Sequence, residues 1–194
     1  KSNCSQTAKQ YGFVEFDGVW PFWEKSGTPR ELLNNVLSTQ SSGSNYGWDK
    51  EGYKPGNPGI LVTNVNQRYL PALSNYVWHI KFFLINQCST IATIFGNRYG
   101  GVSSPLQFAK LYETGFQYYN DGTVKTITWD RFAANKEYIV SIVKRGSVLY
   151  AFINGVLVGT ATNVTKDMAI NPIYFGAGNE LGISESSDVL VEFA

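Results

Sequence analysis

The stretch from Gly115 to Thr162 leaves this chain little choice of architecture. Gly115–Tyr119, Thr123–Trp129, Glu137–Lys144, Ser147–Ile153 and Val156–Thr162 are short segments rich in Val, Ile, Thr and aromatic residues. Three of the junctions between them read Asn120-Asp121-Gly122, Arg145-Gly146 and Asn154-Gly155. Tight hairpin turns need positive φ, which Asn, Asp and Gly accept at least cost. The stretch therefore predicts a hairpin followed by a three-strand antiparallel meander, and segments this short do not suit helices.

The same signals extend outward. Tyr11–Asp17, Gly59–Val65, Tyr76–Ile85, Thr90–Gly96, Pro105–Tyr112, Pro172–Gly176 and Val189–Phe193 read as further strands. In Tyr76–Ile85 one face carries Tyr76, Trp78, Ile80, Phe82 and Leu84, and the other, with Val77, His79, Lys81, Phe83 and Ile85, is also largely apolar. Apolar residues on both faces predict a central strand. One helix is expected over about residues 28–39: Thr28, Pro29 and Glu31 fit a capping box with proline at the first helical position, and Leu32, Leu33, Val36 and Leu37 share a face. Ser38 to Pro58, rich in Ser, Gly, Asn and Pro, predicts a long irregular loop. The expected fold is mostly β: an antiparallel two-sheet β-sandwich of jelly-roll or lectin-like type, with that short α-helix packed on a sheet. At 194 residues a single domain, 1–194, is expected, with 1–10 as a polar N-terminal tail.

Composition narrows the function. A formal charge of +1, 16% charged residues and no Lys/Arg cluster give no field for phosphates or anionic lipids, so nucleic acid and membrane surfaces are not expected partners. No apolar run is long enough to insert through a bilayer. Catalytic signatures are sparse. Glu15-Phe16-Asp17 is the nearest candidate for a pair of catalytic carboxylates, and a solvated edge strand accounts for it; His79 is the only histidine, and a hydrogen-bonded histidine beneath the surface accounts for that. There is no Gly-rich phosphate loop and no Cys/His metal set, so a non-enzyme without cofactor is expected. Calcium is the alternative, through Asn120-Asp121-Gly122, although a plain hairpin turn explains the same residues.

Aromatic residues make up 15% of the chain, which suits sugar binding: flat rings receive the C–H face of a pyranose while nearby amides and Arg read its hydroxyls. Tyr46 and Trp48 stand out because they lie in a polar Gly/Ser/Asn segment. Asn97, Arg98 and Tyr99, followed by Gly100-Gly101, place a polar fork beside a ring, and Tyr119 and Trp129 are companions.

The run from Glu137 to Gly159, with Leu149-Tyr150 before Asn154-Gly155, followed by Ile173-Tyr174-Phe175-Gly176, resembles the closing strands of laminin G-like and concanavalin A-like lectin domains. The resemblance covers the last third of the chain and implies a lectin-type sandwich; the expected helix is not typical of that family. In general character the chain also resembles viral spike attachment heads of the rotavirus type. Both likenesses imply attachment to cell-surface glycans or glycoproteins, at an extracellular or virion surface. Near-neutral charge points to neutral galactose or N-acetyllactosamine-type termini. An accessory module of a secreted glycosidase and a glycan-independent protein-interaction domain remain the alternatives.

Two sequons, Asn3-Cys4-Ser5 and Asn163-Val164-Thr165, are compatible with a secretory origin, and a start without Met or leader fits a piece of a larger parent protein. Cys4 and Cys88 form either one disulfide or two idle thiols. In material that matures extracellularly, thiol titration of the unfolded, unreduced protein is expected to find none. Two titratable thiols in protein from its native source would rule out the bridge.

Overall fold

The computed structural model describes residues 22, 26–27, 29–31, 36–43, 46–49, 52–55, 59–63, 75–88, 92–97, 109–120, 122–167, 173–176 and 187–193. The expected first strand at Tyr11–Asp17 lies outside them. Fifteen strands occur among the described residues: β1 (Arg30–Glu31), β2 (Val36–Gly43), β3 (Gly47–Trp48), β4 (Tyr53–Lys54), β5 (Gly59–Thr63), β6 (Tyr76–Asn86), β7 (Thr93–Gly96), β8 (Ala109–Tyr112), β9 (Gly115–Asn120), β10 (Thr123–Thr128), β11 (Lys136–Arg145), β12 (Val148–Ile153), β13 (Val156–Ala161), β14 (Tyr174–Phe175) and β15 (Asp188–Phe193).

They form two antiparallel sheets. One has eight strands in the order β1-β2-β5-β14-β7-β8-β9-β10, the other seven in the order β13-β12-β11-β6-β15-β4-β3. The predicted turns close the hairpins as their chemistry requires, with Gly122, Gly146, Asn154 and Gly155 all at positive φ. β6 is central, between β11 and β15, as its two apolar faces predict. Ile80, Phe82 and Leu84 point inward with Val140 and Ile142 of β11, and meet Ile94, Leu111, Phe116, Ile127 and Phe175 of the other sheet. Trp78 joins the layers, 4.6 Å from Phe95 and 6.5 Å from Phe116 between ring centroids.

The described residues of the expected helix over 28–39 are not helical. Arg30–Glu31 and Val36–Gly43 are strands, paired Glu31↔Val36 and Arg30↔Leu37, and β2 pairs with β5 from Ser38↔Thr63 to Gly43↔Gly59. A helix of about twelve residues is marginal by its own bonds. Val36, Thr39 and the serines that follow favour extended backbone, so the ladder to β5 outweighs the cap. The irregular loop expected over Ser38–Pro58 is likewise partly strand, because β2 runs to Gly43 and β3 and β4 make a small hairpin on the edge of the seven-stranded sheet.

The outer face of the seven-stranded sheet is polar at its centre. His79 Nδ1 lies 2.7 Å from Ser141 Oγ, and Lys81 Nζ lies 2.8 Å from Glu137 and 2.6 Å from Glu192. Partial burial lowers the His79 pKa and raises that of Glu192, whereas the hydrogen bond from Lys81 lowers that of Glu137.

Two measurements probe this packing. A Cβ on Gly52 would strike the carbonyl oxygen of Val191, where β4 pairs with β15, so Gly52→Ala should lower stability by about 2 kcal/mol in urea unfolding; an unchanged midpoint would refute that close approach. Tyr53 is buried, and loss of water together with neighbouring Tyr46 pushes its pKa up to about 12; burial also raises Tyr76 and Tyr118. An unfolded tyrosine ionises near pH 10. Between that pH and about 12 the unfolded chain sheds protons that the native one keeps, so stability falls as pH rises through that window, by on the order of 2 kcal/mol for Tyr53. Urea midpoints at pH 9 and 11 check this, and Tyr53→Phe should flatten the decline.

Candidate functional site

The connection from β10 to β11, Trp129-Asp130-Arg131-Phe132-Ala133-Ala134-Asn135, leaves the edge of one sheet and enters the middle of the other. Along its length it is pinned to backbone on both sides. Trp129 N donates to Thr114 O (3.0 Å), Phe132 N to Glu113 O (3.1 Å) and Asn135 N to Leu84 O (2.7 Å). Ala133 N donates to the Tyr138 hydroxyl at 2.8 Å. Asn135, at φ 58, makes the left-handed bend into β11 that Asn tolerates better than most residues. Phe132 plugs the loop into the core, with ring centroids 4.3 Å from Tyr138, 5.6 Å from Phe82 and 5.8 Å from Trp129.

Beneath the loop lies a wholly buried carboxylate. Glu113, in the two-residue turn between β8 and β9, has Oε2 at 2.8 Å from both Nε and Nη2 of Arg131. Its Oε1 accepts from Cys88 N at 3.1 Å, and Arg131 Nη2 also donates to Cys88 O at 2.9 Å. Ion pairing and an amide hydrogen bond together make the burial of this charge tolerable.

Above the loop opens a cleft of about 520 Å³, within the size range of small-molecule sites. It is lined by Trp129, Asp130, Arg131 and Phe132 of the loop, Tyr138 of β11, Ile153 of β12 and Val158 of β13. Asp130 is exposed, and the buried indole Nε1 of Trp129 has no hydrogen-bond partner among the described residues. The arrangement combines a ring-lined wall, an aliphatic wall and charged groups at the opening. It suits a ligand with one apolar face and several hydroxyls.

Of the residues singled out in the sequence, Trp129 is in this cleft. Tyr46 and Trp48 lie together on the β3–β4 hairpin, at the opposite edge of the seven-stranded sheet. Tyr46 is 54% exposed, whereas Trp48 is half-buried, edge-on to Tyr53 at 5.1 Å, with Nε1 donating to Gly27 O at 2.6 Å. Asn97 and Tyr119 are in or beside the eight-stranded sheet and only 2% and 8% exposed. Arg98, Tyr99 and Cys4 fall outside the described residues, while Cys88 is half-buried at the end of β6. Sequence reasoning missed Asp130, Arg131, Tyr138, Ile153, Val158 and Glu113. The signal available for the first two was a charged pair directly after Trp129, at the end of a strand.

No protein-family model and no curated protein matches this chain. Its fold recurs in solved structures. Domain 4 of AbnA, a GH43 extracellular arabinanase from Geobacillus stearothermophilus, solved with arabinotriose, superposes with a TM-score of 0.69 at 14% identity, over 91% of this chain and 89% of that one. Trypanosoma rangeli sialidase in complex with sialic acid gives 0.64 at 14% identity, over 91% of this chain and 29% of the sialidase chain. The binding domain of botulinum neurotoxin serotype D gives 0.57 at 14% identity, over 91% and 47%. This chain thus spans less than a third of the sialidase and about half of the neurotoxin domain, and what it shares with all three, at these identities, is the two-sheet β-sandwich fold.

Proposed function

We propose that this chain is a non-catalytic carbohydrate-binding domain that attaches its parent protein to cell-surface glycans, and that the sugar lies in the cleft beside Trp129. The observation that carries the proposal is the pairing of an indole wall with polar Asp130 and Arg131 on a loop fixed by hydrogen bonds to both sheets. A ring offers a sugar's C–H groups a flat apolar surface, and fixed polar groups select the hydroxyl pattern without losing entropy on binding. Near-neutral overall charge supports neutral termini of the galactose or N-acetyllactosamine type. An extracellular or virion-surface parent fits such a role. Tyr46, with Trp48 behind it, provides a second exposed ring, remote from the first. The alternative parent, a secreted glycosidase carrying this chain as an accessory module, is supported by the fold likeness to domain 4 of the arabinanase along nearly its whole length.

Trp129→Ala should weaken binding to immobilised N-acetyllactosamine or arabinotriose about tenfold, the equivalent of 1.4 kcal/mol, with a β-type circular-dichroism spectrum retained. Tyr46→Ala should change it less than twofold. The opposite pattern moves the site to the β3–β4 hairpin. A glycan array blank at high protein concentration, alongside capture of a cell-surface protein stripped of its glycans, sinks the carbohydrate reading itself.

A further inference from the structure

We infer that the Trp129 cleft rejects acidic sugars, and that Glu113 and Asp130 are the residues that set this selectivity. The inference rests on the carbohydrate reading above and assigns its ligand class: uncharged glycans, as against sialylated or uronate-bearing ones.

The argument is one of charge and geometry. Arg131 is the only cation among the described lining residues, and at first sight it marks the cleft as a carboxylate receptor. Arginine captures a carboxylate with two parallel N–H groups. Here Nε and Nη2, the edge suited to that fork, both stand 2.8 Å from Glu113 Oε2, and Nη2 is held further by Cys88 O at 2.9 Å. To gain that fork, a sugar carboxylate would have to draw the guanidinium away from Glu113, leaving a wholly buried carboxylate without its counter-ion. What remains of Arg131 suits single hydrogen bonds to hydroxyls.

The local charges point the same way. Glu113 cancels Arg131, and exposed Asp130, the only carboxylate among the described lining residues, leaves these three groups with a net charge of −1. An approaching carboxylate meets repulsion that is unscreened within a Debye length at low salt. Glu113 does not reach the cleft surface and acts through Arg131, so it is a positioning residue. Asp130 acts directly.

The test compares N-acetyllactosamine with its sialylated counterpart, and arabinotriose with galacturonic acid trimer, on a biosensor at 20 and 300 mM NaCl. The parent should bind the neutral member of at least one pair about tenfold more tightly than the acidic member. Asp130→Asn should narrow that preference about threefold at 20 mM NaCl and leave it unchanged at 300 mM. Glu113→Gln, which keeps an acceptor for Arg131 but removes the charge, should narrow it further by raising affinity for the acidic member; a purely structural role would weaken both members equally. Should Glu113→Gln fail to fold, exposed Asp130→Asn decides alone. A parent that prefers the acidic member, or an Asp130→Asn preference identical to the parent's at low salt, overturns the inference while leaving carbohydrate binding intact. A parent that binds neither member of either pair, and no other glycan, overturns both.

Discussion

Glu113 sits wholly out of water between the two sheets, and the geometry around it accounts for much of the rest. Its carboxylate holds Arg131 of the β10–β11 loop and the amide of Cys88 at the end of β6, so one side chain links a turn of the eight-stranded sheet to a strand end of the seven-stranded sheet. A buried carboxylate deprived of its partner destabilises a protein by roughly 3–5 kcal/mol, against a typical total stability of 5–15. The pair is therefore no ornament of the surface. Its geometry also determines how much of Arg131 is left to face the cleft, so the packing and the polar groups of the cleft depend on the same contact.

The far wall of the cleft has a separate origin. β10 and β13 are the edge strands of their sheets, and they approach closely enough that the side chain of Ile127 fills the space where Gly159 has no Cβ. The register between β12 and β13 shifts between Ala151 and Phe152, leaving Val158 between the paired Leu157 and Gly159. Bulges at sheet edges commonly re-aim a side chain, and Val158 lines the same cleft as Trp129. The pocket thus sits where two sheet edges converge, with rings from the crossing loop on one side and aliphatic groups from the β12–β13 hairpin on the other.

What could be read in the sequence follows the range of the interactions responsible. The hairpins of β9 to β13 were legible because their turns are chosen locally: Asn154-Gly155 and Gly146 announce positive φ wherever they stand. The place of β6 was legible because one of its faces is apolar from Tyr76 to Leu84 and Val77, Phe83 and Ile85 make the other largely so. The stretch around Val36 was misread because a capping box is a local signal too, and here it yields to pairing with β5, whose partners lie 16 to 25 residues away. The site shows the same division. Trp129 enters the sequence reading only as a companion ring, and nothing adjacent to Glu113 or Tyr138 in sequence reveals that one neutralises Arg131 and the other closes the loop through Ala133. Tyr46 was read correctly as an exposed ring, since a Gly/Ser/Asn neighbourhood rarely encloses a side chain of that size.

The way the Trp129–Asn135 loop is tied down has a thermodynamic consequence for anything that occupies the cleft. The amides of Trp129, Phe132 and Asn135 are all bonded to carbonyls at Glu113, Thr114 and Leu84, in or beside strands. Opening the loop therefore disturbs the sheets, and these amides belong among those protected from solvent exchange by the cooperative stability of the domain rather than by a local lid. A ligand that recognises this loop recognises the folded state as a whole. Its binding free energy is added to the unfolding free energy by mass action, about 2.7 kcal/mol at a hundredfold excess over Kd. Even a sugar of millimolar affinity, too weak to follow by most direct titrations, would then register as a rise in the temperature at which the entire sandwich melts.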